Sequence, residues 1–84
     1  MSEKKSKVTV EILGETYALK GDADAGYIIK LAQLVDRRMK VVAKGNPQLP
    51  PAKITVLAAL NLADDYLRLE QDYQQLMQIL KDQK

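Results

Sequence analysis

From Ala52 to Lys84 the chain has neither Gly nor Pro, and in a protein of only 84 residues this run restricts the fold most. It predicts one helix from about Pro51 to near the C-terminus, with Pro51 in the first turn, where its missing N–H is harmless. Such length without a breaker suggests a coiled coil. The two halves of the run differ. From Ile54 to Leu67 apolar residues cover much of the circumference, so this part is expected to be buried on several sides. Beyond it Leu62, Tyr66, Leu69, Tyr73, Leu76 and Leu80 recur at alternating spacings of four and three, the seam of a coiled coil. That seam has no core of its own within the chain. It predicts self-association. Asn61 interrupts the apolar block; a buried amide there would need hydrogen-bond partners on the hairpin or the first helix, the alternative being a contact with a partner that sets the register of a dimer.

The N-terminal part supplies the head. Residues 1–6 are polar and charged and read as a disordered tail. Val8-Thr9-Val10-Glu11-Ile12 alternates apolar and polar residues and is rich in β-branched ones, which predicts a strand. Gly14-Glu15 suits a two-residue type II′ turn, after which Tyr17 and Leu19 return. The expected register places Leu13 opposite Thr16, Ile12 opposite Tyr17, Val10 opposite Leu19 and Val8 opposite Gly21. Val8, Val10, Ile12, Tyr17 and Leu19 then share one face. Asp24 is the expected N-cap of a helix running to about Ala43. Ile28, Leu31, Val35, Met39 and Val42 form its apolar stripe, and Lys30, Gln33, Arg37, Lys40 and Lys44 the opposite one, with Arg38 at the border. Lys44-Gly45-Asn46-Pro47 ends that helix, with Gly expected at the C-cap.

The predicted fold is α+β: an N-terminal β-hairpin, then a helix, then a long C-terminal helix forming an oligomeric coiled coil. Residues 7–66 make a small α/β head and residues 67–84 the coiled-coil extension of the second helix. A chain this short buries only a modest share of its surface. With no Cys and no His, disulfides and thiolate or imidazole metal sites are excluded, and a second copy becomes the natural source of stability.

Chemistry is sparse. The four Gly are isolated and form no phosphate-binding loop. Asp64 and Asp65 diverge by ~100° on a helix and read as solvated charges. No nucleophile has a positioned base. No enzyme activity, cofactor or metal is expected. Thirteen Lys and Arg against eleven Asp and Glu give a net charge of +2, low for a dedicated nucleic-acid binder. No apolar run reaches membrane-spanning length, and MSEKKSK lacks the apolar stretch of a signal peptide, so a cytoplasmic protein without membrane contact is expected.

Three stretches resemble the bacterial cell division protein ZapA family: Val8 through Tyr17, Ile28 through Met39, and, most specific, Val56 through Tyr66, in which Asn61 and the Asp64-Asp65 pair sit. The resemblance covers nearly the whole chain after the tail and matches the short form of the family. It implies a protein at the division site that binds the tubulin-like GTPase FtsZ and cross-links or bundles its filaments to support Z-ring assembly. It also implies homodimers whose stalks pair further into antiparallel homotetramers. Charged residues of the turn, the first helix and the start of the second helix are the implied filament contacts, here Glu15, Arg38 and Lys53. The one-sided basic stripe adds Arg37, Lys40 and Lys44. An alternative is a dimeric nucleic-acid-binding module that lays the basic face of the first helix on phosphates. A generic coiled-coil adaptor is a third.

Overall fold

A computed structural model describes residues 5–83. Strand β1 (Ser6–Ile12) and strand β2 (Glu15–Gly21) form an antiparallel hairpin. Helix α1 (Ala25–Gly45) follows, then helix α2 (Pro51–Asp82). Of the stretch expected as a tail, residues 1–4 lie outside the described residues, and Ser6 already belongs to β1.

The hairpin register differs from expectation by two residues. Val8 pairs with Leu19, Val10 with Tyr17, Glu11 with Thr16 and Ile12 with Glu15. The connecting residues are therefore Leu13 and Gly14, at φ of 50° and 81°. Two positive φ values make a type I′ turn in place of the expected type II′ turn at Gly14-Glu15; both match the strand twist, and the choice falls to what holds Leu13. A shift of two preserves the pleat, so Val8, Val10, Ile12, Tyr17 and Leu19 still share a face. The left-handed conformation disfavours Leu13 by roughly 1–2 kcal/mol. Two contacts hold it there. Its N–H donates to Asp36 Oδ1 at 2.8 Å, and its side chain packs against the core cluster of Met39, Val42, Ile54 and Ala58.

Asp24 caps α1 as expected: its carboxylate accepts from the Gly26 N–H at 3.1 Å. The buried residues of α1 are Ile28, Ala32, Met39 and Val42. Ala32 thus replaces Leu31 in the buried stripe, because the small side chain permits close approach of β1, and Leu31 turns outward. The helix end is also corrected. Gly45 stays helical, and Asn46 caps instead: its side-chain amide donates to Val42 O at 3.0 Å and its backbone N–H to Ala43 O at 3.1 Å. The connection closes with Leu49 N–H on Asn46 O. Pro51 opens α2, and Pro50 O accepts from the Lys53 and Ile54 N–H groups.

Helix α2 is 32 residues long, about 48 Å at ~1.5 Å per residue. Its N-terminal third packs on α1 through Ile54 and Ala58, each 2% exposed, while Leu57 and Leu62 are half-buried. The burial expected on several sides from Ile54 to Leu67 is absent. Val56, Leu60 and Leu67 are all exposed, because one chain covers only one side of the helix. Asn61 is exposed too, and its amide bonds Leu57 O of its own helix rather than a distant element. The Cα positions extend over 52 × 46 × 14 Å with a radius of gyration of 17.2 Å. A compact domain of this length has a radius of gyration of roughly 12 Å. The chain is therefore a flattened body, about two packed layers thick at its narrowest, and exposes many large apolar side chains.

Candidate functional site

Two surfaces stand out: the outer face of α1 and the free length of α2.

On α1 the basic residues divide by their partners. Lys40 Nζ lies 3.0 Å from Asp36 Oδ2, one helical turn away. Arg38, half-buried, meets Asp65 Oδ2 at 2.6 Å and joins α1 to α2. Arg37 and Lys44 are exposed and have no ion pair among the described residues. Glu15 is exposed at the first position of β2. Lys53, in the first turn of α2, stands beside a shallow apolar hollow with Leu49, Val56 and Leu57. The structure thus groups Arg37 and Lys44 along one helix and leaves Glu15 and Lys53 on separate elements.

Asp36 is the residue that sequence reasoning undervalued. The i,i+4 spacing announces its pair with Lys40. Nothing in the sequence announces that its other oxygen accepts the Leu13 N–H across 23 positions. That bond is the main reason its carboxyl lies below the usual carboxylate range, with the Lys40 ammonium adding to it and the Arg37 charge contributing less. A depressed folded-state pKa stabilises the fold fully above the unfolded value of roughly 3.9. The contribution is lost as pH falls through the lower folded value. Asp36 therefore ties the turn to the helix at neutral pH. In Asp36→Ala the Leu13 amide is expected to exchange with solvent about tenfold faster or more. In the parent chain its NMR shift is expected to titrate with a midpoint below ~3.9. A midpoint at or above that value would contradict the clamp.

Asp65 was also underrated. It read as a solvated charge beside Asp64, but only Asp64 stays within its own helix, 3.1 Å from Arg68 Nε.

The second surface is the coiled-coil seam. Leu62 is half-buried by the head. Tyr66, Leu69, Tyr73, Leu76 and Leu80 are all more than half exposed, Leu69 at 69%. Met77 and Ile79 flank them, also exposed. A second apolar row escaped the sequence reading. Tyr27, Leu31, Leu34 and Val41 are exposed on α1 at spacings of four, three and seven. Their periodicity was the available signal. Among the described residues no group of acidic side chains could hold a metal ion, and no helix is long and apolar enough to cross a membrane.

Comparison with known proteins gives a consistent result. The family model described as cell division protein ZapA matches residues 8–84. Cell division protein ZapA of Geobacillus sp. (strain WCH70) is 35% identical over 82 residues, covering 98% of this chain and 94% of that protein. The protein of the same name from Bacillus anthracis is 36% identical over 73 residues, covering 87% and 82%. Among solved structures, a ZapA mutant dimer from Geobacillus stearothermophilus superposes with a TM-score of 0.71 at 33% identity, over 96% of this chain and 94% of that one.

Proposed function

The chain belongs to the cell division protein ZapA family, and from that premise we propose that it binds FtsZ filaments and ties them together as a homo-oligomer. The observation that carries this reading is the uncovered seam on the free length of α2. Exposed leucines and tyrosines at heptad spacing favour burial against a second copy. The apolar row Tyr27, Leu31, Leu34 and Val41 and the open side of α2 at Val56 and Leu60 extend the same demand into the head. The proposed unit is a homodimer, with stalks of residues 67–84 pairing further into an antiparallel homotetramer. Heads of residues 7–66 then lie at separated ends, and such an object bridges two filaments without catalysis. Its place is the cytoplasmic division site.

The filament side is assigned to Arg37 and Lys44, with Arg38, Lys40, Glu15 and Lys53 around them. Arg37 and Lys44 carry the most available charge, whereas Arg38 and Lys40 already hold Asp65 and Asp36. Co-sedimentation with FtsZ polymerised by GTP tests the assignment. The chain is expected to pellet with filaments, and Arg37→Glu with Lys44→Glu is expected to leave it in the supernatant, a loss of about tenfold or more in affinity. Unchanged pelleting of the double variant would remove this face. Lys40 is a poorer choice for reversal, since it would also disturb the Asp36 clamp. The nucleic-acid alternative gains nothing, because two of its cations are engaged within the chain.

A further inference from the structure

Two features of the observed hairpin register work against it. Leu13 holds a φ of 50°, a left-handed conformation uncommon for any residue other than glycine. At the far end of the hairpin Lys7 stands directly opposite Lys20. The closing pair of a two-residue hairpin, here Ile12 and Glu15, is hydrogen-bonded. By alternation Lys7 and Lys20 form a non-hydrogen-bonded pair, the kind whose side chains lie closer. Like charges directly opposite each other destabilise a sheet. Both lysines are exposed, and neither has an ion pair among the described residues. Two contacts oppose these costs: the Leu13 N–H on Asp36 Oδ1 at 2.8 Å, and the packing of Leu13 against Met39, Val42, Ile54 and Ala58. Lys40 Nζ, 3.0 Å from Asp36 Oδ2, holds the carboxylate in place.

A shift of two residues removes both costs and keeps every strand side chain on its face. Gly14-Glu15 then forms a type II′ turn, with glycine at the position that needs a positive φ, and Leu13 becomes extended opposite Thr16. Lys20 moves opposite Thr9, and Asp22 comes level with Lys7. Helix α1 packs on β1, whereas β2 is held chiefly by β1, so β2 can slide while β1 stays on the helix. The slide is ~6.8 Å along β1. The chain bends at Asp22 and Ala23, ahead of the Asp24 cap, and those bends are the slack it draws on. What the shift gives up is the packing of Leu13, which turns to the outer face of the hairpin with Thr9 and Glu11. We propose that the hairpin has two registers of the same pleat and that the Asp36 carboxylate locks it in the observed one. The register also sets the place of Glu15, at the first position of β2 when locked and within the turn when released. The lock requires neither a filament nor a second copy.

Cross-strand NMR contacts in the full, isotope-labelled chain read the register, because the α-protons of a non-hydrogen-bonded pair face each other. The parent should show the contacts Glu11 with Thr16 and Thr9 with Ala18. Asp36→Ala should raise the ratio of a second set, Ile12 with Tyr17 and Val10 with Leu19, to the first by about tenfold or more. In the second set the Leu13 N–H donates to Thr16 O. That is a neutral bond at the fraying end of a two-stranded hairpin, so the amide still exchanges faster than under the charged clamp. Two further changes, each added to Asp36→Ala, should return the hairpin toward the parent set. Leu13→Asn supplies the Asn-Gly pair that a type I′ turn favours. Lys20→Glu sets opposite charges across the strands at Lys7. The parent set alone in Asp36→Ala would overturn the proposal. So would loss of both sets, since the hairpin would then have no second register. A second set that persists unchanged in both double variants would overturn it too, because neither the Leu13 conformation nor the lysine pair would then decide the register.

Discussion

Replacing two seam leucines, Leu69→Glu together with Leu76→Glu, is expected to reduce the mass of the protein in solution to that of a smaller species. Each leucine buried in an interface contributes roughly 1.5–3 kcal/mol. A glutamate in its place loses that and must also be desolvated. Every added copy contributes both positions, so the effect multiplies across the assembly. Both side chains are more than half exposed within the chain, Leu69 at 69% and Leu76 at 52%. The fold of one chain should thus tolerate the change, and any fall in helicity by circular dichroism should not exceed the share contributed by residues 67–82. Sedimentation velocity reads the mass. An unchanged sedimentation coefficient would move the interface elsewhere, first to the Tyr27, Leu31, Leu34 and Val41 row.

The second large effect concerns stability. Ile54 is 2% exposed and packs with Met39, Val42 and Ala58, the cluster that joins α1 to α2. Ile54→Ala leaves a cavity there and costs about 2–5 kcal/mol, a large share of the ~5–15 kcal/mol available to a whole domain. At ~4–8 °C per kcal/mol for a domain of this size, the thermal midpoint should drop by ~10 °C or more. Leu13 and Leu49 pack against the same cluster, so the turn and the interhelical loop should loosen together with it. A midpoint within ~2 °C of the parent would mean that the two helices are held by something other than this cluster.

Much of the architecture was legible, and the misses share a cause. Period-two alternation identified the hairpin, and the Gly- and Pro-free run identified α2, because both signals are local. The pleat was right while the register was wrong by two. Face assignment depends only on parity, whereas the loop depends on whether Leu13 can hold a positive φ. That in turn rests on Asp36, 23 residues away. Ala32 was missed for the same reason: close approach of β1 favours a small residue, and no pattern in α1 alone says so. The apolar block of α2 was read as buried on several sides, yet one chain buries only Ile54 and Ala58 fully. Its other apolar positions, among them Val56, Leu60 and Leu67, stay exposed within one chain, and they are the surface a second copy is proposed to cover. Of the candidate site, the basic stripe was legible from spacing. Its division into engaged cations, Arg38 and Lys40, and available ones, Lys30, Arg37 and Lys44, required the third dimension.

Light scattering of GTP-assembled FtsZ, with pelleting of the same samples, tests whether one oligomer binds two filaments. With the parent chain both signals should rise together. With Leu69→Glu and Leu76→Glu the chain should still pellet, though more weakly, while scattering stays at the level of FtsZ alone. That result would separate binding by the heads from bridging through the stalk. Scattering that rises equally with the seam variant, or a parent chain that neither pellets nor scatters, would contradict bridging through the stalk.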